Sequence, residues 1–145
     1  MDVMDFGAGT GLLSEQIAPY VRQIIAVDTS KAMLDEMEAK DVFKGKLKRI
    51  EQDIVENPVE LSADVIISSL TLHHIHDLNG VFRQFHSILK DNGNLALADL
   101  DKEDGTFHDP GVEGVHHHGF NRDEFRQVME RNGFSDIQIT TVHHI

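Results

Sequence analysis

A glycine-rich segment near the start of the chain has the residue types and the setting of a binding site for a nucleotide-type cofactor. The five residues of this segment are Gly7, Ala8, Gly9, Thr10 and Gly11. An apolar run precedes it at residues 3–6, and a segment of helical character follows at residues 12–17. Glycine permits positive φ and close backbone approach, and N–H groups at a helix start point toward a ligand. The pattern predicts a cofactor loop between a strand and a helix; the alternative is a glycine turn without a ligand.

A carboxylate, Asp28, ends the second apolar run. From the end of a neighbouring strand, such a group can accept hydrogen bonds from both hydroxyls of a ribose. Enzymes that use NAD place an acid at the same point, so Asp28 alone does not discriminate between cofactors. Their glycine pattern is G-x-G-x-x-G, and its third glycine would be residue 12, which here is Leu12. An NAD(P)-dependent oxidoreductase is therefore the second hypothesis for this loop.

Two histidines just past the fourth apolar run, His73 and His74, are candidates for acid–base chemistry. An imidazole titrates near neutral pH and can take a proton from a reacting group, and His73 is the preferred base. The alternative, equally weighted, is that both histidines cap the next helix or pack beside a cofactor. Other polar residues after the fourth and fifth runs should face the same space: Ser69, Thr71, Asp99 and Asp101.

Histidines also cluster in and beside a long irregular segment at residues 101–119. They are His108, His116, His117 and His118, with Glu103 and Asp104 on the same segment. Three imidazoles can bind zinc, but adjacent residues on an extended chain point in opposite directions. We therefore predict no metal site and a solvated or substrate-facing loop.

The spacing of apolar residues predicts the elements that position these side chains. Six short apolar runs are predicted strands: residues 3–6, 24–27, 47–50, 65–70, 95–98 and 137–142. Predicted helices cover residues 78–89 with a stop at Asn92-Gly93, run from Asn121 to a stop at Gly133, and follow Thr29-Ser30. Alternation of this kind predicts parallel strands joined by helical crossovers. The expected fold is α/β, a single domain with a Rossmann-like, doubly wound, mostly parallel sheet of about six strands.

Several segments together resemble the class I S-adenosylmethionine-dependent methyltransferases. Residues 3–11 resemble the first motif of that family, and residues 64–75 resemble the fourth-strand motif of the branch with the ubiquinone and menaquinone C-methyltransferases. The resemblance implies S-adenosylmethionine as the cofactor, an acid beside the adenine amino group after the third strand, and backbone contact with the methionine part after the fourth. The implied cofactor-binding residues are Asp5, Gly7, Ala8, Gly9, Thr10, Gly11, Asp28, Thr29, Met33, Asp53, Ile54, Ser69 and Leu70. The spacing of Met33 and Met37 also suits ordinary core packing.

The chain departs from the family pattern in three places. The turn at residues 89–95 lacks the proline of the usual Pro-Gly-Gly, and we expect the N-terminal helical lid and the final antiparallel strand to be absent, as in a core truncated at both ends. Without a lid, Leu12 and Leu13 should be exposed. A strand without its neighbour leaves unpaired backbone groups, so we expect a homodimer that exchanges residues 137–145 or pairs edges. The alternative is a monomer in which the sixth strand pairs directly with the fifth.

Composition limits the classes of partner. The formal net charge is −12, which disfavours nucleic acid and anionic membranes, and the absence of cysteine excludes disulfides and thiolate sites. No apolar run reaches the roughly 20 residues that span a bilayer, so the cytoplasm is the simplest location. An Asn-Pro-Pro-aromatic sequence is also absent, which argues against methylation of DNA adenine or of glutamine. We predict methyl transfer to a small molecule, and the third hypothesis is an impaired core that serves as a structural fragment.

Overall fold

A computed structural model describes residues 1–99 and 121–140. The described residues form one sheet whose strands are β1 (Asp2–Phe6), β2 (Gln23–Asp28), β3 (Leu47–Glu51), β4 (Ala63–Ser69) and β5 (Leu89–Ala98). Their order across the sheet is β3-β2-β1-β4-β5, and every neighbouring pair is parallel. The predicted α/β fold is confirmed, with five strands rather than six in the part of the chain that the structure describes.

Helices follow the strands as the crossovers of a parallel sheet. They are α1 (Leu12–Ile17), α2 (Lys31–Glu38), α3 (Leu78–Ile88) and α4 (Arg122–Arg131), with short 3-10 helices at Ala18–Tyr20, Asp41–Phe43 and Leu72–His74. Side chains cap three of them, because Ser30, Asp77 and Asn121 accept hydrogen bonds from first-turn N–H groups of α2, α3 and α4. Across residues 1–99 and 121–140, every helix is too short or too polar to cross a bilayer.

The two faces of the sheet have separate apolar cores. One core packs β1 and β2 against α1 and α2, and its buried residues include Val3, Ile24, Ala26, Leu34, Met37 and Phe43. The other packs β1 and β4 against α3 and α4, and its buried residues include Met4, Phe6, Ile66, Val81, Phe82 and Phe85. Phe82 makes edge-to-face contacts with Phe85, Phe125 and Phe134, which tie α4 and the chain after it to α3. The sheet is therefore covered on both faces, and its strand ends are left to form a site.

The boundary between α3 and β5 differs from the prediction. The helix ends at Ile88, because Leu89 is already extended (φ −67°, ψ 133°) and pairs with Ala63 of β4. The predicted stop at Asn92-Gly93 lies inside β5 instead, where Asn92 has φ +65°. The pairing with β4 shifts register across this segment, so these turn residues make a strand irregularity rather than a helix end.

Helix α4 stops at the predicted glycine. Gly133 has φ +95°, its N–H donates to the carbonyl of Glu130, and the N–H of Phe134 donates to the carbonyl of Met129, which together form a Schellman motif. The predicted sixth strand is wrong as far as it is described, since residues 137–140 form no strand and residues 141–142 lie outside the described part. Asp136 has φ +54° just before this segment, and Ile137 packs against the core as irregular chain.

Candidate cofactor and active site

The predicted site residues lie along one edge of the sheet, at the carboxyl ends of the strands. The sheet order places β1 between β2 and β4, so the chain leaves β1 and β4 toward opposite sides, and a crevice forms there in open α/β sheets. From the β3 side to the β5 side, the residues in this row are Asp53, Ile54, Asp28, Thr29, the glycine segment 7–11, Ser69, Leu70 and Asp99. The topology thus assembles residues that are far apart in the chain.

The three glycines of the loop have different reasons to be glycine. All three have positive φ: +72° at Gly7, +58° at Gly9 and +86° at Gly11. A Cβ on Gly7 would lie 2.3 Å from Oγ1 of Thr71, and a Cβ on Gly11 would lie 2.8 Å from Cγ of Met37. A Cβ on Gly9 would meet nothing within 4 Å. Packing inside the described chain therefore explains Gly7 and Gly11, whereas Gly9 presents its backbone to open space that a ligand can fill.

Asp28 holds the loop and also faces the crevice. Its Oδ2 accepts a hydrogen bond from the N–H of Gly9 at 2.8 Å, and its Oδ1 accepts one from the N–H of Ser30 at 2.9 Å. The side chain is half-buried. A carboxylate offers about four acceptor positions, so each oxygen can take a further donor such as a ribose hydroxyl. Asp28 is thus able to accept ribose hydroxyls, and its role in cofactor binding stays a prediction.

Asp5 lies beneath the loop. The residue is 2% exposed, and its Oδ2 accepts a hydrogen bond of 2.5 Å from the hydroxyl of Ser14 in α1. Burial raises the pKa of Asp5 to about 6; the bond from Ser14 opposes this rise, and the negative charge of Asp28 adds to it. The carboxylate therefore joins β1 to α1 under the glycine segment. Its predicted contact with the cofactor stays a prediction, and no pattern in the sequence indicated the part that Ser14 plays.

The chain after β4 makes a strained turn. Leu70 has φ +53°, a left-handed conformation that costs a non-glycine residue about 1–2 kcal/mol. The N–H of Leu70 donates to the carbonyl of Ala98 at 2.8 Å, and the hydroxyl of Thr71 donates to the carbonyl of Ser69 at 3.1 Å. The side chain of Leu70 is 52% exposed. Strain of this kind persists only where neighbours hold it, and here β5 and the glycine loop are those neighbours.

The catalytic candidates follow this turn. Both histidines belong to the 3-10 helix Leu72–His74, and the side chain of His74 is exposed. The side chain of His73 lies outside the described part of the structure, as do all of residues 100–120 with His108, the triplet at 116–118 and Asp101, Glu103 and Asp104. Among residues 1–99 and 121–140, no three histidine or acidic side chains are grouped as metal ligands. The catalytic roles of His73 and His74 stay predictions.

The side chains of two other predicted cofactor residues, Asp53 and Ile54, interact within the protein itself. The Oδ1 atom of Asp53 accepts hydrogen bonds from the N–H groups of Val55 and Glu56, at 3.0 and 3.2 Å, and so caps the turn after β3. Ile54 is fully buried in the core, which leaves only its backbone at the sheet edge. Asp53 remains exposed, so its second oxygen can still take a donor.

Apolar side chains stand exposed at the same edge. Met33, in the first turn of α2, is 46% exposed, whereas Met37 is fully buried. The expectation of core packing is therefore confirmed for Met37 and wrong for Met33, because the buried face of α2 is formed by Leu34 and Met37 and Met33 lies off that face. Leu12 and Leu13 are exposed, as expected.

A glycine loop after β1, an acid at the end of β2 and a crevice at the switch point are together typical of domains that bind nucleotide-type cofactors. A methyltransferase domain family matches residues 1–139, and the chain belongs to that family. An uncharacterized methyltransferase of Schizosaccharomyces pombe is 33% identical over 141 residues, in a match that covers 82% of this chain and 48% of the relative. The chain thus spans about half the length of that relative.

Solved structures of methyltransferases are similar to this chain. An S-adenosylmethionine-dependent methyltransferase from Clostridium acetobutylicum is 30% identical with a TM-score of 0.63, over 69% of this chain and 43% of that chain. A phosphoethanolamine N-methyltransferase 2 from Haemonchus contortus, solved with S-adenosyl-L-methionine, has a TM-score of 0.80 at 22% identity, over 95% of this chain and 34% of that one. The second likeness shows the fold alone. The predicted methyltransferase family is confirmed, these structures support S-adenosylmethionine as the predicted cofactor, and the NAD(P) alternative is not favoured.

Proposed function

We propose that this chain binds S-adenosylmethionine in the crevice between β1 and β4 and transfers its methyl group to a small-molecule acceptor. One observation carries the proposal: the backbone of Gly9 faces open space while its N–H is held by Asp28, the acid that can also accept ribose hydroxyls. The loop is therefore fixed by the protein and open on the side where a ligand would lie.

The residues present fit this cofactor. Asp28 would accept its ribose hydroxyls, and the glycine segment would leave room for it against β1. Met33 and Leu70 offer exposed apolar surface on either side of the loop, and Asp53 offers an exposed acceptor after β3. When bound, S-adenosylmethionine supplies a methyl group that is electrophilic because it is attached to a sulfonium.

The main contribution of the protein to this reaction is then to position the methyl group and the acceptor. An in-line displacement needs the acceptor atom at near-attack distance from the methyl carbon, and holding two reactants in that geometry is worth about 7–11 kcal/mol of the barrier. The turn after β4 is the element on which an acceptor would rest beside the loop, because Thr71 packs directly on Gly7. If the acceptor carries a proton, an imidazole at His73 or His74 can remove it.

Charge and surface argue against a polyanionic acceptor and support a small molecule with an apolar body. The net charge of −12 repels polyanions, and the exposed residues that surround the loop include Leu12, Leu13, Met33 and Leu70. These side chains can contact the body of an organic molecule and exclude water from the reacting atoms.

Calorimetric titration with S-adenosylmethionine and with NADH tests the proposal. The wild type should bind S-adenosylmethionine and not NADH, and Gly9→Val should lose binding because its side chain fills the open space above the loop. The matched control is Gly45→Val, since Gly45 also has positive φ (+76°) with nothing within 4 Å of an added Cβ. Gly45 precedes β3, at the opposite edge of the sheet, so this variant carries the same backbone strain without touching the crevice.

The outcomes separate the three hypotheses. Loss of binding in Gly9→Val alone supports the site. Binding of NADH without S-adenosylmethionine would favour an oxidoreductase, and a folded chain that binds neither would favour a structural role. Screening a metabolite panel for production of S-adenosylhomocysteine would then identify the acceptor.

A further inference from the structure

The 3-10 helix after β4 is capped by the residue that follows β5. Thr71 precedes this helix but does not cap it, since its hydroxyl donates instead to the carbonyl of Ser69 at 3.1 Å. The N–H of Leu72, the first of the helix, donates to Oδ2 of Asp99 at 2.8 Å. Asp99 directly follows β5, and 27 residues separate the two partners. A carboxylate beside a helix start is a charge-assisted acceptor, so this bond is stronger than an ordinary turn bond.

The backbone N–H of Leu72 cannot bond to water instead, because the residue is buried. Its side chain is 1% exposed, inside the core that packs β1 and β4 against α3. A backbone N–H at such a position needs an acceptor from the protein, and Asp99 supplies it. The bond therefore fixes the position of the first turn of the 3-10 helix relative to the end of β4.

The opposite side of the same turn is fixed by the glycine loop. The side chain of Thr71 occupies the position where a Cβ of Gly7 would stand, and between the two contacts Leu70 holds its left-handed φ of +53°. The turn thus lies clamped between the loop after β1 and the end of β5. Movement at either contact would move Ser69 and Leu70 relative to the loop.

We propose that Asp99 is a positioning residue for the cofactor site. Through the N–H of Leu72 it sets the turn that carries the predicted cofactor contacts Ser69 and Leu70 and the predicted catalytic residues His73 and His74. This inference rests on the proposed function, because it assumes that the crevice binds S-adenosylmethionine. What the role requires of Asp99 is an oxygen acceptor, and a negative charge is not essential to it.

A direct electrostatic role is the competing explanation, because a carboxylate near a sulfonium would attract it. Two comparisons separate the roles. Asp99→Asn keeps an acceptor oxygen and removes the charge, while Asp99→Ala removes both. S-adenosylmethionine carries the sulfonium charge, whereas S-adenosylhomocysteine has a neutral thioether in the same place.

The experiment titrates both ligands into the wild type and the two variants by calorimetry. If Asp99 positions the turn, Asp99→Ala should weaken both ligands about tenfold, the effect of one lost hydrogen bond to a charged group, and Asp99→Asn should stay within about twofold of the wild type. The matched control is Asp77→Ala. Asp77 makes the same kind of bond, from Oδ1 to the N–H of Gly80 at 2.9 Å, but caps α3 outside the crevice. The Asp77→Ala substitution should lower the melting temperature and leave the affinities for both ligands unchanged.

Amide hydrogen exchange gives a second measurement that needs no ligand. Asp99→Ala should speed exchange at Leu72 and His74, and Asp99→Asn should not. Affinities in Asp99→Ala that match those in Asp77→Ala would overturn the proposal, as would a loss confined to S-adenosylmethionine in both Asp99 variants. If Asp99→Ala does not fold, Asp99→Leu replaces it, because leucine fills a similar volume without an acceptor. A wild type that binds neither ligand would refute the proposed function, and unchanged exchange in Asp99→Ala would refute the positioning of the turn.

Discussion

Replacing Asp5 with Asn should stabilise the protein at neutral pH. Asparagine keeps the shape of the side chain and an acceptor for Ser14, and it removes a charge that the structure has taken out of water. Burial raises the pKa of Asp5 from 3.8 to about 6, so the folded chain binds this proton more tightly than the unfolded chain does. The contribution of this group to stability is therefore fully present below about pH 4 and is lost as the pH rises through about 6.

The magnitude follows from the displacement of the pKa of Asp5. A change from 3.8 to about 6 corresponds to about 3 kcal/mol of unfolding free energy. Asn resembles the protonated acid, so the variant and the wild type should have similar stability near pH 4. Above about pH 7 the variant should be the more stable by up to about 3 kcal/mol, an upper figure because the buried site can relax around the charge.

Urea unfolding of both proteins in steps from about pH 4 to about pH 8 measures this difference. Asp64→Asn provides a control of opposite sign: the N–H of Asp2, followed by the charge of Lys90, lowers the pKa of the partly exposed Asp64 carboxyl. A lowered pKa stabilises the fold above its ordinary range, so that variant should be less stable than the wild type at neutral pH. A constant difference between Asp5→Asn and the wild type across the whole range would refute the argument from burial.

Three further substitutions test the site. Asp28→Ala should weaken S-adenosylmethionine by about 1.5–3 kcal/mol for each charge-assisted bond removed, and an unchanged calorimetric affinity would exclude the ribose role. Gly7→Ala should cost about 1–3 kcal/mol in urea unfolding, because its Cβ would lie 2.3 Å from Oγ1 of Thr71; adding Thr71→Ala should recover part of that loss, and strictly additive costs would disprove the contact. His73→Ala should reduce turnover to S-adenosylhomocysteine more than it reduces cofactor affinity, and an intact rate would leave His73 a packing role.

Local signals were sufficient to predict most of the elements. The runs that became β1, β2 and β4 are short, mostly apolar and bounded by polar or glycine residues, and Ser30, Asn121 and Gly133 mark helix ends through their own side chains or backbone. The end of α3 was missed because it depends on pairing between Leu89 and Ala63, 26 residues apart. The segment at residues 137–140 has the apolar alternation of a strand, but a strand also needs a neighbour, and no local pattern reports one.

The same distinction between local signals and long-range contacts applies to the candidate site. Gly9 and Asp28 could be identified because glycine spacing and an acid at a strand end are local features. The contacts that set the geometry join distant residues: Ser14 with Asp5, Thr71 with Gly7, and Asp99 with Leu72. A serine in the first turns of a helix or an aspartate after a strand is common in sequences, so only the folded arrangement distinguishes these residues.

The place of β1 in the sheet has a consequence for how the domain folds. β1, β2 and β3 are joined by short crossovers and can pair in sequence, but the other edge of β1 must wait for β4, whose partner for Val3 is Val65, 62 residues later. Closing so long a loop costs more entropy than closing the crossovers between β1, β2 and β3, so we expect β4 to pair with β1 after those strands have paired. The crevice lies where β1 pairs with β4, with Gly7 on one side and Thr71 on the other. A molecule that spans both sides can therefore bind only the completed sheet, and its binding would draw half-assembled chains toward the native state.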